Sequence, residues 1–201
     1  MYQKNRSAYR TAILGILTAI IIIQNFVPLL GYIPIPPLNP TIIHITVIVV
    51  SITLGTKDGM IIGSVWGITR MIKAFTMPAS PFDYFLWRNP IIAILPRILV
   101  GFVAGYTYNV LKKRVAKDST AMIISSILAS LTNTLMVLGL IYVIYGETYA
   151  SLLEVDYSNL LGVLGTVVLT NGVGEAIAAA IIAPIIARPL KKFSMQNLKK
   201  P

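Results

Sequence analysis

The sequence predicts an all-α membrane protein with six transmembrane helices and both termini in the cytoplasm. Three observations carry this. Only 12% of its 201 residues are charged, against about a quarter in an ordinary soluble domain, while 56% are hydrophobic. The apolar residues gather into runs close to the roughly 20 that a helix needs to cross the hydrocarbon core. Lys and Arg are shared unequally between alternate loops. No polar stretch is large enough for a separate soluble domain, so residues 1–201 read as one integral-membrane domain.

The first span is expected over residues 8–27. The Pro-rich stretch 28–40 ends it, because proline lacks the amide donor and restricts the residue before it. A short, β-branched second span over 41–54 is followed by Gly55-Thr56-Lys57-Asp58-Gly59, a turn bounded by glycines. The third, fourth, fifth and sixth are expected over 60–75, 90–111, 120–145 and 160–187. Val and Ile dominate several of these runs, yet runs this long without turn signals fit helices. The short alternating segments of a membrane barrel are missing. The first segment is too long, and too richly followed by other spans, to read as a cleaved signal peptide.

With six spans, the termini and the second and fourth loops share one side. All of the 17 Lys and Arg except Arg70, Lys73, Arg88 and Arg97 fall there, whereas the fifth loop carries Glu147, Glu154 and Asp156. Positive charge marks the cytoplasmic face. The net charge of +10 is therefore mostly topology, and no nucleic acid is needed to explain it.

Several classes of chemistry are excluded. Without cysteine there is neither a disulfide nor a thiolate, and a single histidine rules out a multi-histidine zinc site. The Rossmann and P-loop glycine patterns are absent, so the chain has no evident nucleotide site of its own.

Polar groups within membrane spans are costly and usually face a cavity or the bundle interior. Here they are His44, Arg70, Arg97, Asn133, Asn171 and Glu175, with Trp66 counted beside them as a lining residue. At about 1.5 Å rise per residue, most of them reach mid-membrane or outer depth. Glu175 lies one turn below Asn171 on the same face. Each alone has a structural explanation: an Arg97–Glu175 clamp, asparagines bonded between helices, or a histidine at a helix start. Together they form an outer polar layer above an apolar inner half, which describes a capped pocket. A channel or proton relay needs polar groups through both halves.

The third loop, residues 75–90, combines aromatics, prolines and charges. It reads either as an interfacial aromatic belt or as a lid over a small-molecule site, with Phe82, Tyr84, Trp87 and Arg88 as its contact residues. The first loop is the candidate second half of that lid. In helix one, Ala8, Ala12, Gly15 and Ala19 are spaced 4, 3 and 4, a stripe that permits close backbone approach, either within the fold or to a partner. Gly63 with Gly67 and Gly101 with Gly105 are further pairs of this kind.

These features resemble the substrate-binding S components of bacterial energy-coupling factor (ECF) vitamin transporters, over nearly the whole chain. The stripe Ala8-x-x-x-Ala12…Gly15-x-x-x-Ala19 is similar to the family's helix-one docking motif, with Gly15 where alanine is usual. Leu54-Gly55-Thr56-Lys57-Asp58-Gly59 resembles its LGxxxG turn. The segments from Leu95 to Gly101 and from Thr170 to Ala176 are similar to those of the pantothenate-type branch.

The resemblance implies the S-component fold in the bacterial cell membrane. It also implies capture of a vitamin outside and delivery through a module of one membrane scaffold and two ATPases, in contact with lipid and without a cofactor. Pantothenate suits the charges: its carboxylate calls for Arg97, and its hydroxyls and amide for Asn133 and Asn171. The alternatives are folate, niacin or a pyridoxine-like vitamin on the same fold. From a different class come a small intramembrane enzyme or an assembly factor, although one carboxylate and one histidine on distant helices supply no catalytic constellation.

Overall fold

Helices supply every regular element among the described residues of the computed structural model, which covers residues 2–27, 29–32 and 40–198, with side chains from Arg10 to Lys192. The expectation that the first loop completes a lid falls largely on residues 33–39, outside the described residues. Helix α1 runs Tyr2–Phe26, α2 Ile43–Thr53 and α3 Thr56–Thr76. A short α4, Pro81–Leu86, precedes α5, Pro90–Leu111, and α6, Asp118–Leu152. A 3₁₀ turn, Tyr157–Asn159, leads into α7, Leu160–Val167. A π-helical turn, Val168–Gly172, then joins α7 to α8, Val173–Leu198.

Helical structure overlaps each expected segment, with shifted ends. Three helical stretches, Pro90–Leu111, Asp118–Leu152 and Tyr157–Lys192, are long and apolar enough to cross a membrane, and Arg10–Phe26 and Ile43–Thr53 are shorter apolar helices. At 11 residues, α2 is about 16 Å long and cannot span a core of about 30 Å alone. Nine of its residues are buried, so its neighbours rather than lipid surround it. The fifth segment continues past residue 145 because helical hydrogen bonding resumes beyond a kink at Tyr145, where φ is −132° and ψ 17°. Part of the third loop folds into α4. Pro81 stands in its first turn, and the Ser80 side chain accepts from the Asp83 N–H at 3.1 Å, a capping arrangement that Ser-Pro-x-Asp encodes.

Small residues set the centre of the bundle. A Cβ at Gly67 would lie 2.7 Å from the Ala93 carbonyl oxygen, one at Gly101 2.5 Å from the Gly59 backbone, and one at Gly63 would overlap the Arg97 carbonyl. Helices α3 and α5 therefore meet backbone to backbone. Gly55, at φ +111°, turns the chain from α2 into α3, a conformation that disfavours other residues.

Ion pairs lock one end of the bundle. Arg10 of α1 pairs with the buried Asp58 of α3, and Lys191 of α8 joins Asp118 of α6 and Tyr108 of α5. At the other end, Tyr32 and Thr41 form an isolated bridge that closes the base of the first loop.

Candidate functional site

A cavity opens at the end of the bundle that bears α4. Arg70, Phe82, Asp83, Trp87, Arg97, Asn133, Asn171 and Glu175 line it together with Tyr32, Thr41, Thr134, Val137, Leu138 and Val167. Helices α3, α5, α6 and α8, the π turn and α4 all contribute. Polar residues far apart in the sequence thus converge on one space.

The two arginines differ in how their charge is matched. Arg70 makes a two-pronged ion pair with Asp83 of α4, and both side chains are more than 90% buried. Asp83 also accepts the Ala79 N–H at 3.2 Å, so the same carboxylate caps α4 and anchors it to α3. Arg97 forms no ion pair among the described residues. Its Nη1 donates to the Ile92 carbonyl at 2.7 Å, while its Nε is buried with no hydrogen-bond partner among the described residues. The guanidinium carbon stands 4.5 Å from the ring centroid of Trp87 and 4.9 Å from that of Trp66. Two indole faces hold the plane of a group that burial would otherwise destabilise.

Glu175 does not clamp Arg97. Its Oε1 accepts the Thr41 N–H at 2.7 Å and its Oε2 the Thr134 hydroxyl at 3.5 Å, which ties α8 to the end of the first loop and to α6. Asn133 presents a buried Oδ1 with no hydrogen-bond partner among the described residues. Asn171 sits in the π turn, where the widened backbone still keeps it on the cavity side with Glu175. Gly172 lets that turn close on α6: a Cβ there would stand 3.0 Å from Thr134 Cγ2. The arrangement offers one charge-unmatched cation, several neutral donors and acceptors, one carboxylate outside the Arg70–Asp83 pair and an apolar wall.

Two expected lining residues lie behind the cavity. His44, fully buried in the first turn of α2, faces Ser130 of α6, with 3.3 Å between Nε2 and Oγ. Trp66 lies beneath Arg97 and donates from Nε1 to the Tyr32 hydroxyl at 3.3 Å. Of the expected lid residues, Phe82 and Trp87 line the cavity, whereas Arg88 stacks outward on Tyr84 at 3.5 Å and on Phe75 at 4.6 Å. Trp87, only 9% exposed, covers both arginines.

Tyr32, Thr41, Thr134 and Asp83 are the residues that sequence reasoning does not place. Tyr32 and Thr41 flank the Pro-rich loop and Thr134 stands in an apolar helix, where none carries a distinctive signal, and the side chain of Asp83 is legible only through the Ser80 cap.

Helix one behaves differently from the other small-residue pairs. Ala12, Gly15 and Ala19 are exposed, and nothing lies within 4 Å of a Cβ built at Gly15. The side chain of Ala8 falls outside the described residues. The stripe is an open face, not an internal seam.

A sequence profile described as the substrate-specific component of ECF transporters matches residues 10–187. Pantothenate transporter PanT of Leuconostoc mesenteroides is 33% identical over 178 residues, covering 86% of this chain and 87% of that protein. Pantothenic acid transporter PanT of Lactococcus lactis subsp. cremoris is 32% identical over 203 residues, covering 94% of this chain and 97% of that protein.

Proposed function

This chain belongs to the substrate-specific components of ECF transporters, and from that premise we propose that it binds pantothenate through Arg97 in the cavity beneath α4. It is a multi-pass membrane subunit of a bacterial importer, not an enzyme, and its family implies an energy-coupling module as partner. The observation that carries the substrate assignment is the Arg97 guanidinium, held between Trp66 and Trp87 and without a carboxylate of its own among the described residues. A ligand carboxylate completes that site by a charge-assisted fork. Asn133, Asn171 and Glu175 then meet the amide and hydroxyl groups of the ligand, and Val137, Leu138 and Val167 its methyl-bearing chain. The relatives' names supply the vitamin.

The finer topology belongs to the same proposal. Six spans place both termini and the end locked by Arg10–Asp58 in the cytoplasm, with α4 as the outer lid. The open stripe of Ala12, Gly15 and Ala19, with Ala8, docks on a transmembrane coupling subunit, and two ATPases supply the energy.

Titration calorimetry of the purified protein tests the assignment. Pantothenate binds the wild type, and its alcohol analogue, which lacks the carboxylate, binds poorly. Arg97→Ala weakens pantothenate by more than about tenfold, roughly 1.4 kcal/mol, while the alcohol loses little further affinity. Equal losses for acid and alcohol make Arg97 a structural residue and overturn the reading.

A further inference from the structure

At the end of the bundle opposite the cavity, a second cleft lies between the start of α3 and the end of α5. Thr56, Tyr106, Asn109, Val110, Lys113 and Arg114 line it. Lys113 and Arg114 are exposed and make no ion pair or side-chain hydrogen bond among the described residues, and no carboxylate lines the cleft. The nearest acid in sequence to Thr56, Asp58, is buried and committed to Arg10. Thr56 opens α3, whose first-turn amides Gly55 has no side chain to cap.

The surface leading away from the cleft is apolar. Tyr106 is 57% exposed and stacks at 5.6 Å on Phe102, one turn nearer the middle of α5 and 42% exposed. No other element among the described residues covers this aromatic pair. A ligand that satisfies both halves carries an anionic group at one end and a hydrocarbon chain at the other.

We propose that the cleft between α3 and α5 binds the phosphate headgroup of an anionic phospholipid, with Lys113 and Arg114 on the phosphate and an acyl chain along Tyr106 and Phe102. A general excess of basic residues at this end accounts for cations being present. It does not account for two of them lining a cleft that continues into an exposed aromatic pair. The position of the apolar half favours a lipid over an acidic protein segment, because Tyr106 and Phe102 lie on the exposed flank of α5 rather than beyond its end. Basic pockets between membrane helices suit such headgroups.

Native mass spectrometry of the full chain in neutral detergent, titrated with dioleoylphosphatidylglycerol or dioleoylphosphatidylcholine, tests this. The wild type retains phosphatidylglycerol in preference to phosphatidylcholine. Lys113→Gln with Arg114→Gln reduces that preference by about tenfold or more, since each cation near an anionic headgroup contributes roughly fivefold. Arg188→Gln with Lys192→Gln removes the same charge elsewhere and leaves the preference in place. Equal loss in both double variants means nonspecific surface charge and overturns the proposal, as does an unchanged preference in the first. Displacement of the lipid by millimolar inorganic phosphate, or equal binding of chain-free glycerophosphoglycerol, assigns the cleft to a soluble anion and overturns it too. Circular dichroism and gel filtration of both variants establish that they are folded, and pantothenate binding is independent of every arm.

Discussion

Arg97, Asn133, Asn171 and Glu175 are legible one residue at a time, because a polar group inside an apolar run is costly and so has a reason to be there. What each touches is not legible. The sequence leaves Glu175 as the available intramembrane partner for Arg97; in the fold Thr41 and Thr134 occupy that carboxylate, and two tryptophans flank the guanidinium. Asp83 has no apolar run to stand out from, yet it carries the Arg70 charge. Removing one partner of a buried pair leaves the other charge uncompensated, which typically costs about 3–5 kcal/mol. Asp83→Asn is therefore expected to lower the thermal unfolding temperature of the purified protein well beyond Glu154→Gln, an exposed control on the loop after α6. Similar unfolding temperatures for the two variants refute this account. At Arg97, lysine keeps the charge but loses the planar fork and its stacking. Arg97→Lys should weaken pantothenate clearly in calorimetry, and wild-type affinity in that variant would show that charge alone suffices there.

Helix boundaries follow from hydropathy and from proline and glycine, but the partners of each helix do not. Three stripes of small residues look alike in sequence. In the fold, two of them form the α3–α5 seam and the third faces outward. Spacing gives the face a residue occupies and says nothing of what meets that face. The distinction yields a paired expectation. Gly63→Ala drives a methyl into the Arg97 carbonyl, costs about 1–3 kcal/mol and displaces Arg97 itself, so both stability and vitamin binding fall. Gly15→Leu meets open space within the chain, leaving binding by the isolated protein intact while abolishing uptake in cells that carry the coupling module. If binding and uptake fall together in Gly15→Leu, the stripe is not a docking face. The short α4 and the π turn escape hydropathy altogether. A six-residue helix is too brief for periodicity, and the π turn differs from its neighbours only in backbone bonding.

Across the whole molecule, the two ends are built for different work. Ion pairs join α1 to α3 and α6 to α8 at one end, whereas the cavity end is held by single hydrogen bonds, aromatic contacts and the Arg70–Asp83 pair. Admission of a vitamin beneath α4 is therefore expected to strain the cavity end first. Protease cleavage near Asp83 should slow on saturation with pantothenate, because a ligand under Trp87 holds α4 down. Unchanged cleavage at saturation makes α4 a fixed cap.

The kink at Tyr145 sets how α4 is expected to move. Phe85 meets Tyr145 at 4.3 Å and Phe82 meets Tyr149 at 5.4 Å, while Asn89 donates to the Tyr145 hydroxyl at 3.2 Å. Helix α4 is thus fastened to the tip of α6 beyond its break in helical geometry, and Tyr145 becomes a fulcrum. A cap fastened in this way is expected to swing as the short arm of a lever, carrying the α6 tip with it. Spin labels at Tyr84 and Glu147 should keep their separation as the vitamin is added, while labels at Tyr84 and Leu30 change theirs. A changing separation in the first pair would uncouple the two arms.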